Sequence, residues 1–183
     1  MVKVGVVLPI YDVDVGEALR FGVQAEDLGY DSLWVEDHLM PWQLSCEKPT
    51  LEGWVLLSIL AEKTERVRLG TMVSNILYRH PVILAKLAVM VDRVSNGRFT
   101  MGLGLGWYED EAKAYGLPMP PLRARIEMFE EAIKLMKKLW TGKGRVSFKG
   151  KYFSLENAPF EPKPIQKPHP PIIVGTGGEK VML

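Results

Sequence analysis

One cysteine, Cys46, stands in 183 residues, and 23 basic residues are almost cancelled by 22 acidic ones. A lone cysteine excludes an intrachain disulfide and points to a reducing, cytoplasmic setting. Near-zero net charge, with the basic residues scattered apart from a small group at Lys134, Lys137 and Lys138, provides no field for nucleic acid. Long apolar runs are missing too: none approaches the ~20 residues that a bilayer span needs. The start, Met1-Val2-Lys3-Val4-Gly5, lacks an apolar stretch ending in small residues, so the expectation is neither export nor membrane insertion. What is present is a hydrophobic content of 47%, enough to build a substantial core in one domain spanning 1–183.

Strand-like and helix-like patterns alternate along the chain. Val4 to Leu8 is a short apolar run, and Ala18, Phe21, Gly22, Ala25 and Leu28 then recur at helical spacing until Gly29. Ser32 to Val35 begins a second unit, whose helix carries Trp54, Leu57, Leu60 and Ala61 after a loop containing Pro41 and Pro49. A third strand, Val67 to Val73, leads to a helix over Val82 to Val94 that is closed by Ser95-Asn96-Gly97 as a left-handed stop. A fourth, Arg98 to Leu103, is followed by an acidic segment and a long helix over Leu122 to Trp140. The rhythm then breaks: 144–156 reads as a two-stranded hairpin insertion across a Lys149-Gly150 turn. A proline-rich connector leads to a fifth strand, Pro171 to Val174.

Repeated β-then-α units with non-alternating apolar strands predict an α/β fold with a parallel sheet, either open and doubly wound or a (β/α)8 TIM barrel. Periodicity does not choose between them. A complete barrel needs ~250 residues and eight strands, so a barrel reading implies truncation after about five strands. The run Gly102-Leu103-Gly104-Leu105-Gly106-Trp107 strips side chains from one edge, which invites a flat ligand or another backbone. It lacks the third glycine of a dinucleotide fingerprint and does not follow the first strand, so a Rossmann fold is rejected.

Several motifs, in this order, resemble the bacterial luciferase-like family. They are Trp34-Val35-Glu36-Asp37-His38, Thr71-Met72-Val73-Ser74-Asn75, Arg79-His80-Pro81, Asp92 to Arg98, the glycine run with Glu111 and Gly116, and Gly175-Thr176-Gly177-Gly178. The match covers essentially the whole chain. The resemblance implies a barrel oxidoreductase or monooxygenase that binds F420, or alternatively FMN, at the carboxyl ends of its strands and acts on a small-molecule substrate; the apolar helices Trp54 to Ala61 and Val82 to Val91 make a homodimer the expectation. The other reading is a non-catalytic half-barrel fragment or dimeric structural module.

The resemblance also implies residue roles. His38 would exchange a proton near the reactive ring, work suited to an imidazole at neutral pH, while Asp37 would bond to the cofactor. Ser74 and Asn75 follow the strand where the family often holds a cis peptide against the ring, and the other reading is an ordinary strand-end turn. Trp42 and Trp107 would wall the substrate pocket, although Trp107 stands where some F420-using relatives carry a catalytic Glu. Gly106 and Asp110 would contact the cofactor, Asp110 replacing an Asn of those relatives. Gly177 and Gly178 match a turn that holds the cofactor phosphate. Glu109, Asp110 and Glu111 read either as acid–base carboxylates or as charges that complement a helix dipole.

Overall fold

Capping chemistry decides where the helices begin. Asp14 accepts the Gly16 N–H at 2.7 Å and the Glu17 carboxylate accepts the Asp14 N–H at 3.2 Å, a reciprocal pair that opens α1 (Val15–Asp27). Glu52 opens α2 (Gly53–Lys63) by accepting the Val55 N–H at 2.6 Å. Pro81 starts α3 (Pro81–Val94), at a position where its missing N–H leaves no bond unmade. The α3 stop is the one that the sequence predicts, with Asn96 and Gly97 at φ of 51° and 83°. The acidic segment becomes a short helix, α4 (Glu109–Ala114), ahead of the long α5 (Leu122–Thr141).

The computed structural model describes residues 2–42, 45 and 47–175. Its main sheet contains β1 (Gly5–Val7), β2 (Ser32–Val35), β3 (Arg68–Thr71), β4 (Ser74–Asn75), β5 (Phe99–Gly104) and, after the hairpin strands β6 (Arg145–Lys149) and β7 (Ser154–Pro159), β8 (Ile172–Gly175). Every pairing in that sheet is parallel: β1 lies beside β2, β2 beside β3, β3 and β4 beside β5, and β5 beside β8. The order follows the chain without the reversal that makes a sheet doubly wound. Of the two architectures left open by periodicity, the molecule therefore takes the (β/α) barrel, with five of its strand positions among the described residues.

The third strand departs from the expected continuous run. A cis peptide between Met72 and Val73 interrupts it, and β4 resumes beside the carboxyl half of β5. The glycines of β5 explain how the interruption fits. A Cβ on Gly102 would stand 1.8 Å from the Thr71 carbonyl oxygen, and one on Gly104 would stand 2.6 Å from Val73 Cγ2. The cleared edge is thus filled by the neighbouring segment of this chain, the second of the two occupants that a glycine run allows.

The core lies between sheet and helices. Leu33, Val35, Leu69, Phe99, Met101 and Leu103 from the strands meet Leu57, Leu60, Leu84, Ala85 and Ala88 from α2 and α3. The α5 helix buries Phe129, Ala132, Leu135, Met136, Leu139 and Trp140, and Trp140 Nε1 donates to the Ala85 carbonyl at 3.1 Å. Arg98 pins the end of α2 by donating to the Ala61 carbonyl at 2.9 Å and the Val67 carbonyl at 2.8 Å. In the 144–156 region β6 and β7 pair antiparallel, but the chain reverses over 150–153 and not at a two-residue turn. Glu131 on α5 causes this, because its carboxylate gathers the N–H groups of Lys151, Tyr152 and Phe153 at 2.9, 3.0 and 2.6 Å. Among the described residues, no helix is long and apolar enough to cross a membrane.

Candidate active site

A cavity of about 810 Å³ opens at the carboxyl ends of the parallel strands, where barrels of this type place function. The segment after β2 contributes Glu36, Asp37, His38 and Trp42; the β3–β4 segment contributes Met72, Val73 and Asn75; the segment after β5 contributes Gly104 through Tyr108. Gly175 on β8 and Leu122 and Arg125 on α5 complete the lining with Tyr78. Parallel winding brings these short segments to one rim.

His38 is held from behind. Its Nδ1 lies 3.0 Å from Glu111 Oε2, and Glu111 is fully buried. The same carboxylate accepts the Leu39 N–H, the Met40 N–H at 3.1 Å and the Tyr78 hydroxyl. Burial raises the Glu111 carboxyl, but the bonds from His38, Tyr78 and Leu39 outweigh it and hold the group below its ordinary range. An ionised Glu111 only accepts, so the imidazole carries its proton on Nδ1, and Nε2 is left without a partner among the described residues. Tyr78 is raised by burial and by its bond to Glu111, so it stays a phenol.

Asp37 is also buried, and its oxygens are occupied. Arg79 reaches both of them at 2.8 Å, the Ser74 hydroxyl donates at 2.7 Å and the Asn75 N–H at 3.1 Å. Burial pushes the Asp37 carboxyl upward against the pull of Arg79 and Ser74. Ser74 in turn accepts the Trp54 Nε1–H at 2.9 Å, so its hydroxyl is spent inside the protein. Asn75 borders the cavity, and its Oδ1 accepts the Leu77 N–H at 3.0 Å. Gly106, at φ of 76°, packs so closely on Asn75 that a Cβ would stand 2.8 Å from Oδ1.

Aromatic rings surround the imidazole. The Trp42, Trp107 and Tyr108 centroids stand 6.5, 5.7 and 6.0 Å from that of His38, and Trp42 meets Trp107 at an interplanar angle of 87°. The structure therefore brings Asp37, His38, Trp42, Asn75, Gly106 and Trp107 to one cavity. Ser74 sits behind Asp37, and Asp110 is exposed on the first turn of α4, outside the lining. Gly177 and Gly178 lie outside the described residues, as does Cys46.

Sequence reasoning underweighted Glu111. It reads there as one of three acids at a helix start, and what separates it from Glu109 and Asp110 is that it faces inward beside Ala112. The supporting parts played by Arg79 and Tyr78, and the presence of Glu36 and Arg125 in the lining, depend on contacts between segments that no local pattern announces.

The comparisons agree with this fold. Over 183 residues the chain is 33% identical to an F420-dependent glucose-6-phosphate dehydrogenase of Amycolatopsis mediterranei, a match that covers 99% of this chain and 54% of that one. A second such dehydrogenase, of Kineococcus radiotolerans, is 36% identical over 168 residues, covering 91% of this chain and 48% of the relative. An F420-dependent secondary alcohol dehydrogenase, solved in complex with an F420-acetone adduct, superposes with a TM-score of 0.85 at 27% identity, over 94% of this chain and 51% of its own. The chain thus spans about half the length of the relatives it matches. With residues 3–183 also fitting the family model for luciferase-like monooxygenases, and with the strand order and rim just described, the chain belongs to the luciferase-like family.

Proposed function

We propose that the cavity is the F420 side of an oxidoreductase site at which an alcohol is oxidised. The observation that carries this reading is the His38–Glu111 pair, which leaves one imidazole nitrogen open at a rim walled by aromatic rings and bare backbone. The dehydrogenases to which the chain is similar use F420 by name, and this supports the same cofactor here.

The cavity suits a flat ring system. Val73 and Leu105 give apolar surface, Asn75 supplies a polar group at the edge, and Gly104 and Gly106 let Val73 and Asn75 pack closely enough to form that wall. Val73, Asn75 and Gly106 are the residues that would hold the ring, with Gly177 and Gly178 proposed for the phosphate. A bound deazaflavin supplies a two-electron hydride acceptor. His38 Nε2 takes the hydroxyl proton as the carbinol C–H electron pair departs and the carbonyl forms. Glu111 stabilises the imidazolium that results and keeps its orientation. Trp42 and Trp107 wall the cavity beside the reacting carbon.

Titration with F420 and, separately, with FMN, followed by fluorescence, tests the assignment. Saturable binding of F420 in preference to FMN is expected. Preference for FMN would replace the reading with flavin-dependent monooxygenation, and binding of neither would leave a structural half-barrel. We also propose a homodimer. The outer faces of α2 and α3 support it, because Val55, Ile83 and Met90 are 60%, 52% and 50% exposed there.

A further inference from the structure

Two carboxylates line the cavity, and they are neutralised differently. Asp37 is matched by Arg79, whose guanidinium reaches both of its oxygens. Glu36 has only neutral partners: Oε2 accepts the Tyr11 hydroxyl and, at 3.3 Å, the Trp42 Nε1–H. No described residue bonds to Glu36 Oε1, and no cation of the described residues forms an ion pair with Glu36. Arg125, the guanidinium in the lining, donates to the Gly106 carbonyl, its buried Nε has no partner among the described residues, and it forms no ion pair with Glu36. A half-buried carboxylate thus remains uncompensated on the cavity wall, held by two uncharged donors from β1's outgoing loop and the β2 loop.

The rings beside it complete a recognisable shape. Trp42, bonded to Glu36, is 39% exposed, and Trp107, 60% exposed, stands nearly perpendicular to it with centroids 5.7 Å apart. Trp107 stacks on Tyr108 with centroids 5.1 Å apart and meets Trp42 edge-on, and the ring surface that the pair leaves exposed beside an unpaired carboxylate oxygen forms a corner suited to a cation: the rings attract positive charge and the oxygen accepts its N–H. An anion in this corner would meet the Glu36 charge, and a neutral hydroxyl would gain one hydrogen bond and leave that charge unmatched.

We propose that Glu36, Trp42 and Trp107 form a subsite for a protonated amine on the substrate. The inference rests on the reading of the cavity as an alcohol-oxidising site and narrows its substrate class. The His38 ring lies 6.5 Å from Trp42 and 5.7 Å from Trp107, so a hydroxyl at His38 and an ammonium in the corner belong to one short amino alcohol. Glu36 selects the substrate through its charge, while His38 handles the proton.

The test is a titration of the chain, without cofactor, by three propane alcohols of similar size: 1-amino-2-propanol, 1,2-propanediol and lactate, followed by tryptophan fluorescence at pH 7.5. The amine is expected to saturate at about tenfold lower concentration than the diol, in line with a hydrogen bond to a charged group, and lactate to bind more weakly than either. Glu36→Gln should remove the advantage of the amine. If that variant does not fold, Trp42→Phe, which deletes the donor to Glu36 and shrinks one ring face, should weaken amine binding several-fold. Equal binding of amine and diol, an advantage that survives in Glu36→Gln, or no response to any of the three overturns the proposal. Because no cofactor is present, failure of the F420 titration would not disturb this result, and failure here would not disturb that one.

Discussion

Glu111 Oε2 lies 3.0 Å from His38 Nδ1, although 73 positions separate the two residues in the chain. The pair joins the loop after β2 to the first turn of α4, and it fixes which imidazole nitrogen faces the cavity. Glu111→Gln preserves the volume but removes the charge that holds the proton on Nδ1. The expected result is a fall in kcat of about 100-fold with a much smaller change in KM, and an altered pH profile for kcat. A role in stability alone would move the unfolding midpoint and leave that profile where it was.

Arg79 is the counter-charge of a buried carboxylate. Removing one partner of such a pair costs about 3–5 kcal/mol, because the other remains buried and unpaired. Arg79→Met should show a loss of this order in urea unfolding at pH 8. The loss should be smaller at pH 4, since burial already raises the Asp37 carboxyl and a protonated Asp37 needs no cation.

Glu26 gives the opposite sign. Its carboxylate accepts the N–H groups of Glu65, Arg66 and Val67 at 2.9, 2.7 and 2.7 Å. Burial raises this group, but those three bonds and the charge of Arg98 outweigh it and lower it from the ordinary 4.5. A lowered carboxyl contributes stability above its unfolded value and loses it as the pH falls through the native one. The stability gap between wild type and Glu26→Gln should therefore be full above pH 4.5 and close below it, as thermal melts across an acid series would show.

Gly102 and Gly29 provide a matched pair of substitutions. Alanine at Gly102 would drive its Cβ into the Thr71 carbonyl oxygen, so backbone must move, at a cost of about 3 kcal/mol or more. Alanine at Gly29 meets nothing within 4 Å and suffers only from φ of 94°, a cost of about 1–2 kcal/mol. Urea midpoints of the two variants would rank them. The opposite ranking would mean that the Thr71–Val73 segment does not pack against β5 as described.

The helices and most strand positions were legible because their signals are local. Asn96-Gly97 marks an end by its own chemistry, and the apolar spacing of α2 and α5 survives folding. The choice of barrel over doubly wound sheet was not legible, since strand order is a long-range property. The break in the third strand was hidden for a related reason: Thr71-Met72-Val73 is apolar and β-branched enough to read as continuous, and only the crossing over Gly102 shows why it is not. At the site, His38 and Asp37 were visible from their place after a strand. The occupants of their polar atoms were not, because Arg79, Ser74 and Glu111 arrive from other units.

Arg79 also reaches past the rim. Its second nitrogen donates to Glu52 Oε1 at 2.6 Å, and Glu52 caps α2 through the Val55 N–H, while Asp37 holds the Asn75 N–H. One guanidinium thereby fastens a helix start and a cavity wall at the same time. That shared link predicts that Arg79→Met speeds hydrogen exchange at both the Val55 and the Asn75 amide.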